Sequence, residues 1–157
     1  MRRPGVGPRR RSDMRLEGSC HCGRLRVAFT TAKPLIELPL RACQCSFCLR
    51  HGGLTTSDPD GEVVLTAAEV PAGGWYRFGT GMTDFWVCPR CGVYVAGYVE
   101  ADGQGRAVVN TRALDARDRF TQAPTPMDYG QETPEGRLQR RMRLWSPARV
   151  ETLPAPL

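Results

Sequence analysis

No apolar run in this chain of 157 residues is longer than about five residues, whereas a bilayer-spanning helix needs about 20. A membrane helix is therefore excluded. The basic opening MRRPGVGPRRR is not followed by an apolar segment, so it lacks the middle part of a secretory signal. A cytoplasmic protein is the expectation, and in that compartment thiols stay reduced. Histidine is scarce: His21 and His51 are the only two, too few for a metal centre of three imidazoles. There is no internal repeat and no long helical period.

What is present fits one domain with a modest core, and the hydrophobic share of 41% is ordinary for a globular protein. The net charge of +6 is unevenly spread. Residues 1–15 hold six arginines against Asp13, a balance of +5, while the remaining 142 residues carry 16 basic and 15 acidic groups. The basic character belongs to the arm. Such an arm can attract nucleic acid by counterion release, but a solvated, disordered tail over residues 1–14 is the simpler expectation. Met14 also stands as an alternative natural start.

From Leu16 onward the pattern is that of short strands. Leu25, Val27 and Phe29 alternate with Arg24, Arg26 and Ala28, the period of a half-buried strand. Strand-like runs follow at Glu62–Ala67, Trp75–Phe78, Asp84–Cys88, Val93–Glu100 and Arg106–Ala113, separated by Gly-, Pro- and Asp-rich turns. A mainly β domain over residues 15–121 is the reading. The rest, residues 122–157, holds six of the 13 prolines and reads as a proline-rich tail. Thr133-Pro134 could begin a short helix there. It would place Leu138, Met142 and Trp145 on one face to dock on the domain, with Arg140, Arg141 and Arg143 elsewhere.

The chemistry lies in seven cysteines in three tight groups: Cys20 and Cys22; Cys43, Cys45 and Cys48; Cys88 and Cys91. Scattered core cysteines would not show C-x-C or C-x-x-C spacing. Cys88-Pro89-Arg90-Cys91-Gly92 has the form of a zinc knuckle, whose turn aims two sulfurs at one point. A redox C-x-x-C competes, but its usual βαβ setting is missing. Cys20 and Cys22 are the natural companion pair, giving a closed four-sulfur structural site. Cys43, Cys45 and Cys48 then remain, and three sulfurs leave a tetrahedral ion one open position, the mark of a catalytic centre. His51 could instead close that site; His21, between two ligands, should point away. Three thiolates on Zn²⁺ leave a charge of −1, which disfavours hydroxide chemistry and suits exchange with an incoming thiolate.

Gly18-Ser19-Cys20-His21-Cys22-Gly23, Cys43-Gln44-Cys45-Ser46-Phe47-Cys48 and Cys88-Pro89-Arg90-Cys91-Gly92 resemble the glutathione-dependent formaldehyde-activating enzyme family, which also contains centromere protein V. Val109-Asn110-Thr111-Arg112-Ala113-Leu114-Asp115 looks like that family's late strand and turn. The resemblance spans about residues 16–120. It implies a small zinc-bound β-tent fold with two zinc ions per chain. Cys20, Cys22, Cys88 and Cys91 would hold a structural ion, and Cys43, Cys45 and Cys48 a labile catalytic one. It also implies a carbon–sulfur lyase joining a small thiol, glutathione, to a small aldehyde, formaldehyde. Two positions depart from the pattern: Gln44 stands where the founding enzymes commonly have histidine, and Leu49 where an arginine often follows.

Arg41, Arg50, Arg77 and Arg112 are candidate cations for the carboxylates of glutathione. Two other readings stand beside the enzyme: a non-catalytic zinc-scaffolded module whose arm touches nucleic acid, and a regulator that loses its looser zinc on oxidation. The ligand count at Cys43, Cys45 and Cys48 separates the first of these from the enzyme.

Overall fold

The structure, a computed structural model, describes residues 13–153; the arginine-rich stretch 1–12 and its expected disorder lie outside them. In chain order the elements are β1 (Met14–Ser19), β2 (Leu25–Thr31), β3 (Arg41–Cys43), α1 (Ser46–His51), β4 (Thr55–Thr56) and β5 (Glu62–Ala67). Then come β6 (Asp84–Val87), β7 (Tyr94–Ala101), β8 (Gln104–Asn110), β9 (Thr125–Met127), α2 (Pro134–Leu144) and β10 (Ser146–Thr152). The described residues are mainly β, with one mixed sheet and two α-helices.

The alternation read at Leu25, Val27 and Phe29 is the inward face of β2, and all three are buried. β2 pairs antiparallel with β1 on one side and β5 on the other. β10 runs parallel to β5 and antiparallel to β8. At β8 the sheet divides. One edge of β8 pairs with β7, which carries β6, while the other is shared by β10 near its start and β4 at its end. β4 leads to β3, and β3 to the edge strand β9.

The core lies under this fork. Phe29, Val63, Leu65, Trp86, Val95, Val109 and Leu114 are wholly enclosed. Gly18 in β1 is bridged to Leu114, and a Cβ there would meet the Ala113 carbonyl oxygen at 2.2 Å. Only glycine allows the two backbones to cross so closely.

Three expectations change. Trp75–Phe78 is not a strand; it keeps one bridge, Tyr76 to Phe85, and Trp75 stacks on Trp86 at 4.2 Å between ring centres. The run ending at Ala113 stops as a strand at Asn110. There the side chain accepts from the Arg112 amide and opens a 3₁₀ turn over Thr111–Ala113. Most consequentially, residues 125–152 are no appended tail, because they supply β9, α2 and β10, and β10 sits inside the sheet. Proline permits this where no amide is needed. Pro126 lies on the edge strand, and Pro147 pairs only towards β8, one residue before the ladder with β5 begins.

α2 starts as expected, with Thr133 accepting from the Gly136 amide and Pro134 in the first turn. Leu138 packs on Trp145, Val99 and Val108. No helix among the described residues is long and apolar enough to cross a membrane.

Candidate metal centres and the cavity beside them

The turn after β1 and the turn after β6 bring Cys20, Cys22, Cys88 and Cys91 together, with their sulfurs all within 4.8 Å of one another. Cys20 and Cys22 are 3.7 Å apart, and Cys22 and Cys88 3.6 Å. Four sulfurs bound at 2.3 Å around a tetrahedral ion would be about 3.8 Å apart, so the spacing fits zinc. Both turns close through a glycine amide, one reaching back three residues and the other four. The Gly23 amide donates to the Cys20 carbonyl at 3.1 Å and the Gly92 amide to the Cys88 carbonyl at 2.9 Å. Each glycine is left-handed, φ 81° and 78°, a conformation that a side chain would strain. The Leu25 amide adds a 3.3 Å bond to the Cys20 sulfur. Burial pushes the Cys20 thiol up to about 11, so a bound cation is needed to hold it as thiolate.

The second group is local. Cys43 ends β3, Cys45 caps α1, Cys48 lies in its first turn, and their three sulfurs also fall within 4.8 Å of one another. The Cys45 sulfur accepts from the Cys48 amide at 3.4 Å. The neighbouring thiols of Cys43 and Cys48, with the Cys48 and Phe47 amides, hold the Cys45 thiol far below its ordinary value. The Cys43 and Cys45 thiols, with burial, raise Cys48. From the far side the Gln44 amide donates to the Met127 carbonyl at 2.9 Å, tying the loop to β9.

Among the described residues no histidine, aspartate or glutamate joins this triad, and His51 does not. It lies exposed at the end of α1, its ring against Phe47 at 4.5 Å and Tyr94 at 5.6 Å. Asn110 holds that neighbourhood together: its amide donates to the Tyr94 carbonyl at 2.9 Å, and its oxygen accepts from Leu54 and Arg112.

The three cysteines face a cavity of about 210 Å³. Gln44 and Tyr94 line it, and burial followed by the charge of the cysteines keeps the Tyr94 phenol protonated. Of the four arginines considered from sequence, only Arg41 reaches it. Arg50 turns back to the Ser46 carbonyl, Arg77 pairs with Asp84 at 2.6 Å, and Arg112 bonds the Gly52 carbonyl. Leu49 is exposed. The other cations that line the cavity are Arg137, Arg140 and Arg141 on α2, with Tyr129 beside them. Their spacing of three and four residues was the available signal, since it places them on one helix face.

The sequence profile described as glutathione-dependent formaldehyde-activating enzyme matches residues 15–128. The chain belongs to this family. The match takes in both cysteine clusters and ends at β9, so α2 and β10 lie beyond it. No match was found among the curated proteins. Among solved structures, this family member resembles a crystal structure of a Rhodobacter sphaeroides protein at 27% identity, with a TM-score of 0.51. The similarity covers 71% of this chain and 99% of that one.

Proposed function

We propose that the protein is a zinc-dependent carbon–sulfur lyase that makes and breaks the adduct of a small thiol with a small aldehyde, of the S-hydroxymethylglutathione type. Two ions per chain serve it: a structural zinc on Cys20, Cys22, Cys88 and Cys91, and a labile catalytic zinc on Cys43, Cys45 and Cys48. One observation carries the reading. Three converging sulfurs, without a fourth cysteine, histidine or carboxylate among the described residues, face a cavity.

Zinc bound to that triad would favour the thiolate form of an incoming thiol and polarise a carbonyl oxygen. In the forward direction a sulfur–carbon bond forms, the carbonyl π pair moves to oxygen, and that oxygen takes up a proton equivalent to the one the thiol gave up. The chain contributes position and protons. Phe78, Phe85 and Val108 make part of the wall apolar, which keeps water from competing at the aldehyde carbon. Tyr94 presents a neutral phenol to the same wall. Holding both reactants in one cavity supplies proximity, the main acceleration open to a reaction that also proceeds unaided.

The test is spectroscopic. The protein as isolated should contain close to two zinc ions per chain. Glutathione added to a cobalt-substituted sample should shift the d–d bands, and an unmoved spectrum would sink the proposal.

A further inference from the structure

One face of α2 is turned to the cavity, and it is made of arginine. Arg137, Arg140 and Arg141 line it together with Arg41 from β3. Guanidiniums gathered on one wall repel one another, and burial removes their water. Arg141 shows both effects: burial first, then Arg140 and Arg137, lower it to about 10.

The fold answers this charge only in part. Glu132 accepts a fork from Arg140 at 2.8 and 2.9 Å and lies 3.7 Å from the Arg137 Nε. Arg140 also lies over the Tyr129 ring, 3.7 Å from its centre. Arg41 donates to the Ser57 hydroxyl, Arg137 to the Tyr129 carbonyl and Arg141 to the Thr83 hydroxyl. The buried Nε groups of Arg137 and Arg141 have no hydrogen-bond partner among the described residues. Asp128, in the same lining, accepts from the Gly130 amide at 2.9 Å. Four cations thus face two carboxylates. Three thiolates on a divalent ion would add a single negative charge, which leaves a cationic excess. A partly buried cation cluster persists where an anion completes it, and the planar guanidinium fork matches the two oxygens of a carboxylate.

We propose that Arg137, Arg140, Arg141 and Arg41 form a carboxylate-binding wall, and that this wall selects a thiol bearing a free carboxylate. It rests on the lyase reading for the thiol, but the wall itself rests on α2. That helix lies outside the residues matched to the family, while Arg41 lies within them, so three of the wall's four cations come from this chain's C-terminal part.

The test is calorimetric titration of the zinc-loaded full chain with S-methylglutathione, whose sulfur is blocked, and with its diethyl ester. The acid should bind at least about tenfold more tightly than the ester, as expected for loss of charge-assisted hydrogen bonds. Arg137→Gln should weaken the acid by about tenfold and leave the ester unchanged. Acid and ester binding alike, or neither binding, overturns the wall, as does a variant that weakens both equally. Equal melting temperature and metal content show that the variant folds, and Arg141→Gln is the second variant. If neither folds, the acid–ester comparison on the unaltered chain still decides. The two proposals fail separately. An unmoved cobalt spectrum with the acid preference intact removes the lyase, whereas a shifted spectrum without acid preference removes only the wall.

Discussion

Cys22 and Cys88 lie 66 residues apart in sequence and 3.6 Å apart between sulfurs. With Cys20 and Cys91 beside them, they tie the turn after β1 to the turn after β6. Structural zinc contributes roughly 10–16 kcal/mol of apparent binding energy, against the ~5–15 kcal/mol total stability of a domain. Cys22→Ser should therefore abolish the cooperative unfolding transition, or lower its midpoint by more than ~15 °C. Circular dichroism with metal analysis checks this. A variant that melts like the parent would show that the four sulfurs are not a structural centre.

Cys45→Ser should behave differently. Serine keeps the helix cap that the Cys45 sulfur makes with the Cys48 amide, while a thiolate is lost. Metal content should fall from two ions to one with the melting temperature almost unchanged. Adduct formation should drop ~100-fold or more, beyond what outer-shell changes at metal sites cost. Retention of two ions would count against the three-sulfur centre.

Asp58 makes stability depend on pH. It is buried, and although burial raises its carboxyl, the Thr31 hydroxyl at 2.6 Å, Lys33 at 2.9 Å and the Asp60 amide at 3.0 Å bring it below its ordinary value. A carboxyl lowered by folding stabilises the protein above its unfolded value of about 3.9. That contribution disappears as pH falls through the lower folded value. Lys33 is partly exposed, so Asp58→Ala should cost about 2 kcal/mol at pH 7 in urea unfolding. The gap between parent and variant should narrow as pH falls below the unfolded value, and a gap that does not depend on pH would contradict this account.

Gly18→Ala tests the crossing of β1 with the turn after β8. With the Ala113 oxygen 2.2 Å from the added carbon, the backbones must part at a cost of about 1–3 kcal/mol. The loss should appear in thermal unfolding with both ions still bound.

The cysteine pairs, their glycines and the strand periods were legible in the sequence because each is a local matter. A two- or three-residue spacing fixes where sulfurs point, and alternation fixes which side of a strand is apolar. The triad was readable for the same reason, since Cys43, Cys45 and Cys48 lie within one turn of chain. Residues 122–153 were not. Their prolines suggest a tail, yet whether Pro126 and Pro147 interrupt a sheet depends on whether a neighbouring strand needs the amide that proline lacks, and that is set by β5, β8 and β3 far away in sequence. Likewise, Leu138 and Trp145 mark a docking face of α2, and the arginines beside them look like its solvated side. Only the packed molecule places α2 so that Arg137, Arg140 and Arg141 meet the cavity at the triad. Donor types and local turn geometry follow from neighbours in the chain. Which charged face ends up beside which sulfurs is decided by long-range packing, to which no short stretch of sequence has access.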